Sequence, residues 1–205
     1  MNKSDLIEKV CSINITLEEL KEFFNSKIVF TGDFFDKYYS LDLITNLINK
    51  FITNEITNEY FKHWIKAYLE IVNCIDIENV NDEKIIEMFV KYEIIGILLT
   101  ISNIDEISEF KLKEFIKGLN NLDSILESIN NWNGYFTPTK EQDFGEDQYI
   151  LLVNEKEKKY VVFFSYVLDN KSTYKKINRI DNDSFDNKIN ELEKNEYQNL
   201  QYLNY

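Results

Sequence analysis

Histidine occurs once in these 205 residues, at His63, and cysteine only twice, at Cys11 and Cys74. One imidazole and two separated thiols cannot assemble a four-ligand zinc site at any known spacing, so no metal site is expected. Two cysteines also fall short of the disulfide framework of a small secreted domain, which points to a reducing, cytoplasmic setting. Glycine is as sparse, with five residues, and proline stands only at Pro138. Scattered glycines supply no phosphate-cradling loop, no dinucleotide fingerprint and no G-x-S-x-G nucleophile elbow, so no cofactor is expected. Long apolar runs are missing too. The longest, Ile94–Leu99, is far too short to cross a bilayer, and the first ten residues lack the apolar core of a signal peptide. The expectation is a soluble protein that stays where it is made.

Catalytic residues are hard to find. Cys74 lies eleven residues after His63, three turns away on one straight helix, so the two cannot form a thiol–imidazole pair there. His63 itself falls on the side of its helix that carries Lys62, Lys66 and Glu70, away from the apolar stripe, and reads as a rim residue. The stretch Asp181–Asp186 alternates oxygens like the start of a calcium loop. It has Asp186 where the sharp-turn glycine belongs and Leu192 at the bidentate position, and Ser184 as a helix cap explains it better. The one enzyme reading with any spacing to support it is a carboxylate-dependent metal hydrolase or nuclease, with Asp147 before a strand and Glu157 and Lys159 as an acid-x-lysine pair. Those last two sit at an expected hairpin turn, where solvated charges are ordinary, and no catalytic residue is assigned.

What the chain does have is negative charge. Thirty-six acids against 23 bases leave −13, with a pI near 4.6. Such a balance repels nucleic acid and anionic membrane surfaces and suits a basic partner. Nine acids and two lysines between Asp76 and Glu109 give a local −7, and Glu141 to Asp147 holds four acids without a base. Aromatic residues flank the second stretch. The expected partner-binding residues are Asp82, Glu83, Glu87, Asp105, Glu106 and Glu109 from the first stretch, and Glu141, Asp143, Glu146 and Asp147 from the second, with Trp132, Tyr135 and Phe136 as aromatic anchors.

The fold class read from periodicity is α+β and mainly α: an N-terminal multi-helix bundle, a small C-terminal antiparallel hairpin or sheet, and a terminal helix. A single domain over 1–205 is expected, helical to about residue 132 and α+β beyond. Thr16–Glu19 reads as a capping box, Ser40 and Thr57 open further helices, and Phe61, Trp64, Ile65, Tyr68 and Val72 form one apolar face. A helix from Asp82 turns almost wholly apolar toward Leu99, which suggests a central position. Gly118 reads as the C-cap of the next, followed by a short sixth element. Residues 133–148 read as a connector, Tyr149–Leu168 as two strands around a turn at Asn154–Lys158, Thr173–Ile180 as a third strand, and 184–205 as helical, with Phe185, Ile189 and Leu192 on one side. The function expected from these features is non-enzymatic: an immunity protein or antitoxin-type inhibitor of a basic toxin or nuclease. A phage-encoded, anti-CRISPR-like inhibitor of a host defence nuclease would use the same physics.

Overall fold

The computed structural model describes residues 3–25, 34–73, 82–136, 140–142, 145–168, 171–176 and 198–199. It is a mainly helical α+β protein. The helices are α1 (Lys3–Cys11), α2 (Leu17–Asn25), α3 (Phe35–Tyr38), α4 (Leu41–Ile52), α5 (Asn58–Val72), α6 (Asp82–Asn103) and α7 (Glu109–Glu127). The strands are β1 (Asn133–Phe136), β2 (Lys140–Gln142), β3 (Gly145–Asn154), β4 (Lys159–Leu168), β5 (Lys171–Lys176) and β6 (Gln198–Asn199). Contacts group the chain into two compact units, Met1–Glu78 with Ile94–Asp123 and Asn79–Glu93 with Ser124–Tyr205, and the division falls inside α6 and α7. A single domain was the expectation from sequence.

In the first unit the hub is α5, which packs against α1, α2, α3 and α4. Its five-residue apolar face is buried as the spacing predicts, and Ala67, Leu69 and Ile71 are buried with it, so helices surround it on more than one side. Helix starts follow local chemistry. The Thr16 hydroxyl accepts from the Glu19 N–H (3.2 Å) while a Glu19 carboxylate oxygen accepts from the Thr16 N–H (2.9 Å), a reciprocal capping box at α2. Ser40 and Thr57 cap α4 and α5 by accepting from the N–H groups of Leu43 and Tyr60. Long-range polar contacts then tie the elements together. The Trp64 indole N–H donates to the Val10 carbonyl (3.0 Å), holding the end of α1 to α5, and the Trp64 ring stacks on Tyr68 at 4.9 Å. The Tyr68 hydroxyl donates to the Tyr38 carbonyl and accepts from the Ser40 N–H, both at 2.9 Å, which pins the chain between α3 and α4.

The sequence expectation for α7 needs correction. Gly118 does not end a helix, and the residues after it are not a separate element. Buried Leu112, Leu119, Leu122 and Ile125 keep one helical phase across the glycine. Continuing that buried stripe outweighs the cost of about 1 kcal/mol for glycine in a helix interior. Toward its C-terminal end α6 is also less covered than its apolar run suggests, since Gly96, Leu99 and Thr100 are exposed. Helices α1 and α3 were not anticipated.

The second unit is built on an antiparallel sheet in the order β5-β4-β3-β1-β6, with β2 pairing on β3. The β3–β4 hairpin is the one read from sequence. Leu151, Leu152 and Val153 are all buried, so both faces of β3 are covered, which is why that stretch is apolar without alternation. At the hairpin turn the buried Asn154 side chain accepts from the Glu157 N–H (3.1 Å), and Lys158 takes the left-handed conformation (φ 52°). The expected connector is largely strand: β1, β2 and the start of β3 occupy it, because pairing with β3 satisfies its backbone groups. The expected terminal helix lies mostly outside the described residues. Within that stretch Gln198–Asn199 is strand, paired on β1.

Candidate protein-binding surface

The acids expected to form one surface are distributed over both units. Asp105, Glu106 and Glu109 belong to the first, and Asp82, Glu83, Glu87, Glu141, Glu146 and Asp147 to the second. Asp105, in the loop between α6 and α7, has a fully exposed side chain and a 3.5 Å ion pair with Lys62. Glu106 beside it is exposed, and Glu109 in the first turn of α7 pairs with Lys113 at 2.6 Å. Glu87 lies between two lysines, Lys91 at 2.5 Å and Lys84 at 3.2 Å, so little of its charge is left to attract a partner. Glu93, counted in the same acidic run, is buried. Asp82 and Glu83 open α6. Asp143 lies outside the described residues.

The aromatic anchors need the larger correction. Trp132 is only 6% exposed, and its indole N–H donates to the Ser128 hydroxyl at 3.2 Å. It is buried and is not a surface anchor: an indole is mostly hydrocarbon, and burying it with its one donor satisfied outweighs leaving it in water. Tyr135 on β1 is half-buried, its hydroxyl pushed above the usual tyrosine value first by burial and then by the Glu155 carboxylate. Phe136 is the last residue of β1.

The sheet register brings together acids that sequence spacing does not pair. Glu141 on β2 stands directly opposite Glu146 on β3, and their row continues as Val167 on β4 and Ser172 on β5. The adjacent row reads Lys140, Asp147, Tyr166 and Thr173. Asp147 therefore has a lysine in register, whereas the Glu141–Glu146 pair has no basic residue in its row among the described strands. No family model, curated protein or solved structure matches this chain.

The His63 Nδ1–H donates to the Glu59 carbonyl (2.8 Å) one turn earlier, and its ring meets the edge of Phe24 at 6.0 Å, as for a helix-rim residue. Glu157 and Lys159 pair with each other across the exposed hairpin turn at 2.6 Å. Among the described residues no cluster of three His, Cys, Asp or Glu side chains could hold a metal ion, and no helix is long and apolar enough to cross a membrane. Cys74 lies outside the described residues. One exposed side chain was missed in the sequence: Phe110 in α7 is 73% exposed. Helical phase was the available signal, since Phe110 lies about 200° from Leu112 and so opposite the buried stripe.

Cys11 lines an open depression of about 430 Å³ with Lys37, Tyr39, Ser40 and Asp42. Burial pushes its thiol from 9.0 up to about 11, so at neutral pH it is a protonated packing group and not a nucleophile. Burial also raises Tyr68 and Tyr39 well above the usual tyrosine value of 10.0, Tyr39 further through the Asp123 carboxylate beside it. A folded-state value raised above the unfolded one means stability that is complete below the unfolded value and lost as pH rises through the folded one. Stability is therefore expected to hold to about pH 9 and fall above it. Urea midpoints between pH 8 and 11 check this, and Cys11→Ala should remove part of the fall between 9 and 11.

Proposed function

We propose that this chain is a non-enzymatic, cytoplasmic binding protein that neutralises a basic protein, as an immunity protein or antitoxin-type inhibitor of a cationic toxin or nuclease. The reading rests on a net charge of −13 and, above all, on the register of Glu141 against Glu146. Like charges in directly opposed strand positions are unfavourable by some tenths of a kcal/mol, up to about 1. A cation supplied by a partner turns that cost into attraction. A nuclease cleft is basic because it holds phosphate, so a pair of carboxylates on a narrow hairpin is a natural substitute for its substrate. Nucleic acid and anionic membranes carry the wrong sign for this surface.

The test is native co-purification with the neighbouring gene product, followed by affinity measurements across a salt series. A basic partner whose binding weakens with salt is the expected result. Replacing both Glu141 and Glu146 by Gln is expected to weaken that binding by about tenfold or more, while leaving the free protein as stable or slightly more so. Salt-insensitive binding, or a double variant that binds like wild type, would reject the reading. Magnesium-dependent cleavage of nucleic acid, abolished by Asp147→Ala and Glu157→Ala, would replace it with a hydrolase.

A further inference from the structure

Phe110 is the most exposed large apolar side chain among the described residues. The backbone that carries it is ordered by a cap. The Ser108 hydroxyl accepts from the Lys111 N–H at 3.2 Å, and the Leu112 N–H donates to the Ser108 carbonyl at 3.1 Å, so the first turn of α7 that presents Phe110 is capped and regular. The exposed charges around it are unequal along the chain: three acids, Asp105, Glu106 and Glu109, precede it, and Lys111, Lys113 and Lys117 with Glu114 follow. Counting Asp105, Glu106, Glu109 and Glu114 against Lys62, Lys111, Lys113 and Lys117, the local sum is zero in a chain of net charge −13. A basic partner therefore gains little here, and a second copy of this acidic chain meets no net local repulsion.

We propose that this turn of α7 is a self-association surface, in which a second copy docks across a two-fold axis at Phe110. In such a contact residues before the axis in one copy face residues after it in the other. That sets Asp105 and Glu106 of each protomer against Lys111 and Lys113 of its partner, around two central phenylalanines. The exposed Glu109–Lys113 pair exchanges partners at little cost, because a solvated ion pair contributes little by itself. The surface belongs to the first unit and Glu141 and Glu146 to the second, so this inference stands without the proposed inhibitor role.

Sedimentation equilibrium on the purified full chain tests it. Wild type should show a monomer–dimer equilibrium at about 10 to 500 μM, the strength expected of a small contact with one aromatic anchor per copy. Phe110→Ser, with an unchanged circular dichroism spectrum, should weaken it by about tenfold or more. A chain carrying Asp105→Lys and Glu106→Lys and another carrying Lys111→Glu and Lys113→Glu should each stay monomeric alone and form a heterodimer when mixed. Wild type that remains monomeric throughout this range, Phe110→Ser that dimerises like wild type, or charge-swapped chains that fail to pair would each overturn the proposal.

Discussion

Replacing Trp64 with alanine is expected to destabilise the protein by about 3 to 5 kcal/mol, the largest effect of any single change considered for this chain. The indole is 0% exposed at the centre of α5, stacked on Tyr68, and its N–H is the donor that ties the Val10 carbonyl of α1 to the hub. Alanine leaves a cavity, a Val10 carbonyl with only the Ile13 N–H as donor, and a Tyr68 ring without its stacking partner. Trp64→Phe separates these contributions. It keeps most of the volume and a ring for Tyr68 and forfeits the hydrogen bond that links α5 to α1, so about 1 to 3 kcal/mol is expected for the lost bond and the smaller ring. Thermal or urea unfolding measures both. If Trp64→Ala costs less than Trp64→Phe, packing at the hub is not what holds α1 in place.

Lys91→Ala is expected to cost about 2 to 4 kcal/mol. Lys91 is the largest charged side chain in the core, 2% exposed, with its ammonium 2.5 Å from the Glu87 carboxylate. Removing it takes away a long apolar stem as well as the charge, while Lys84 at 3.2 Å keeps Glu87 from being stranded. Lys91→Met restores the stem. Combined with Glu87→Gln, which removes the matching charge, it should recover most of the loss or exceed wild type, because desolvating a buried ion pair costs about as much as the pair returns. Urea midpoints for the three proteins check this. A double variant no better than Lys91→Ala would mean that the charge itself specifies the packing of this helix.

The helices were legible where their signals are short-range. A capping box needs four consecutive residues and an apolar stripe needs one helix, so α2, α4 and α5 appear at the expected places with the expected caps. Gly118 misled because a glycine that follows an amphipathic run resembles a cap, although it stands in the middle of α7. Only the phase of Leu119, Leu122 and Ile125 relative to Leu112 shows that the same buried face continues. Residues 133–148 misled for the opposite reason: Gly134 and Gly145 are loop residues by local preference, and strand pairing, of Gly134 with Leu152 and of Gly145 with Gln142, overrides that preference. The acidic run from Asp76 to Glu109 looked like a single surface because residues adjacent in sequence were counted together. In three dimensions Glu93 is buried, Glu87 is held by two lysines, and Asp105 and Glu109 each have a lysine of their own.

The amino-acid sequence alone determined the net charge, the absence of recognisable catalytic motifs, the helical majority and the β3–β4 hairpin, since each depends on composition or on residues within a few positions of one another. Tertiary structure decided burial and pairing: it buried Trp132 and set Glu141 opposite Glu146. Burial and strand register are settled by contacts between segments distant in the chain, and a periodicity of two or 3.6 residues carries no record of which distant segment arrives or in what alignment.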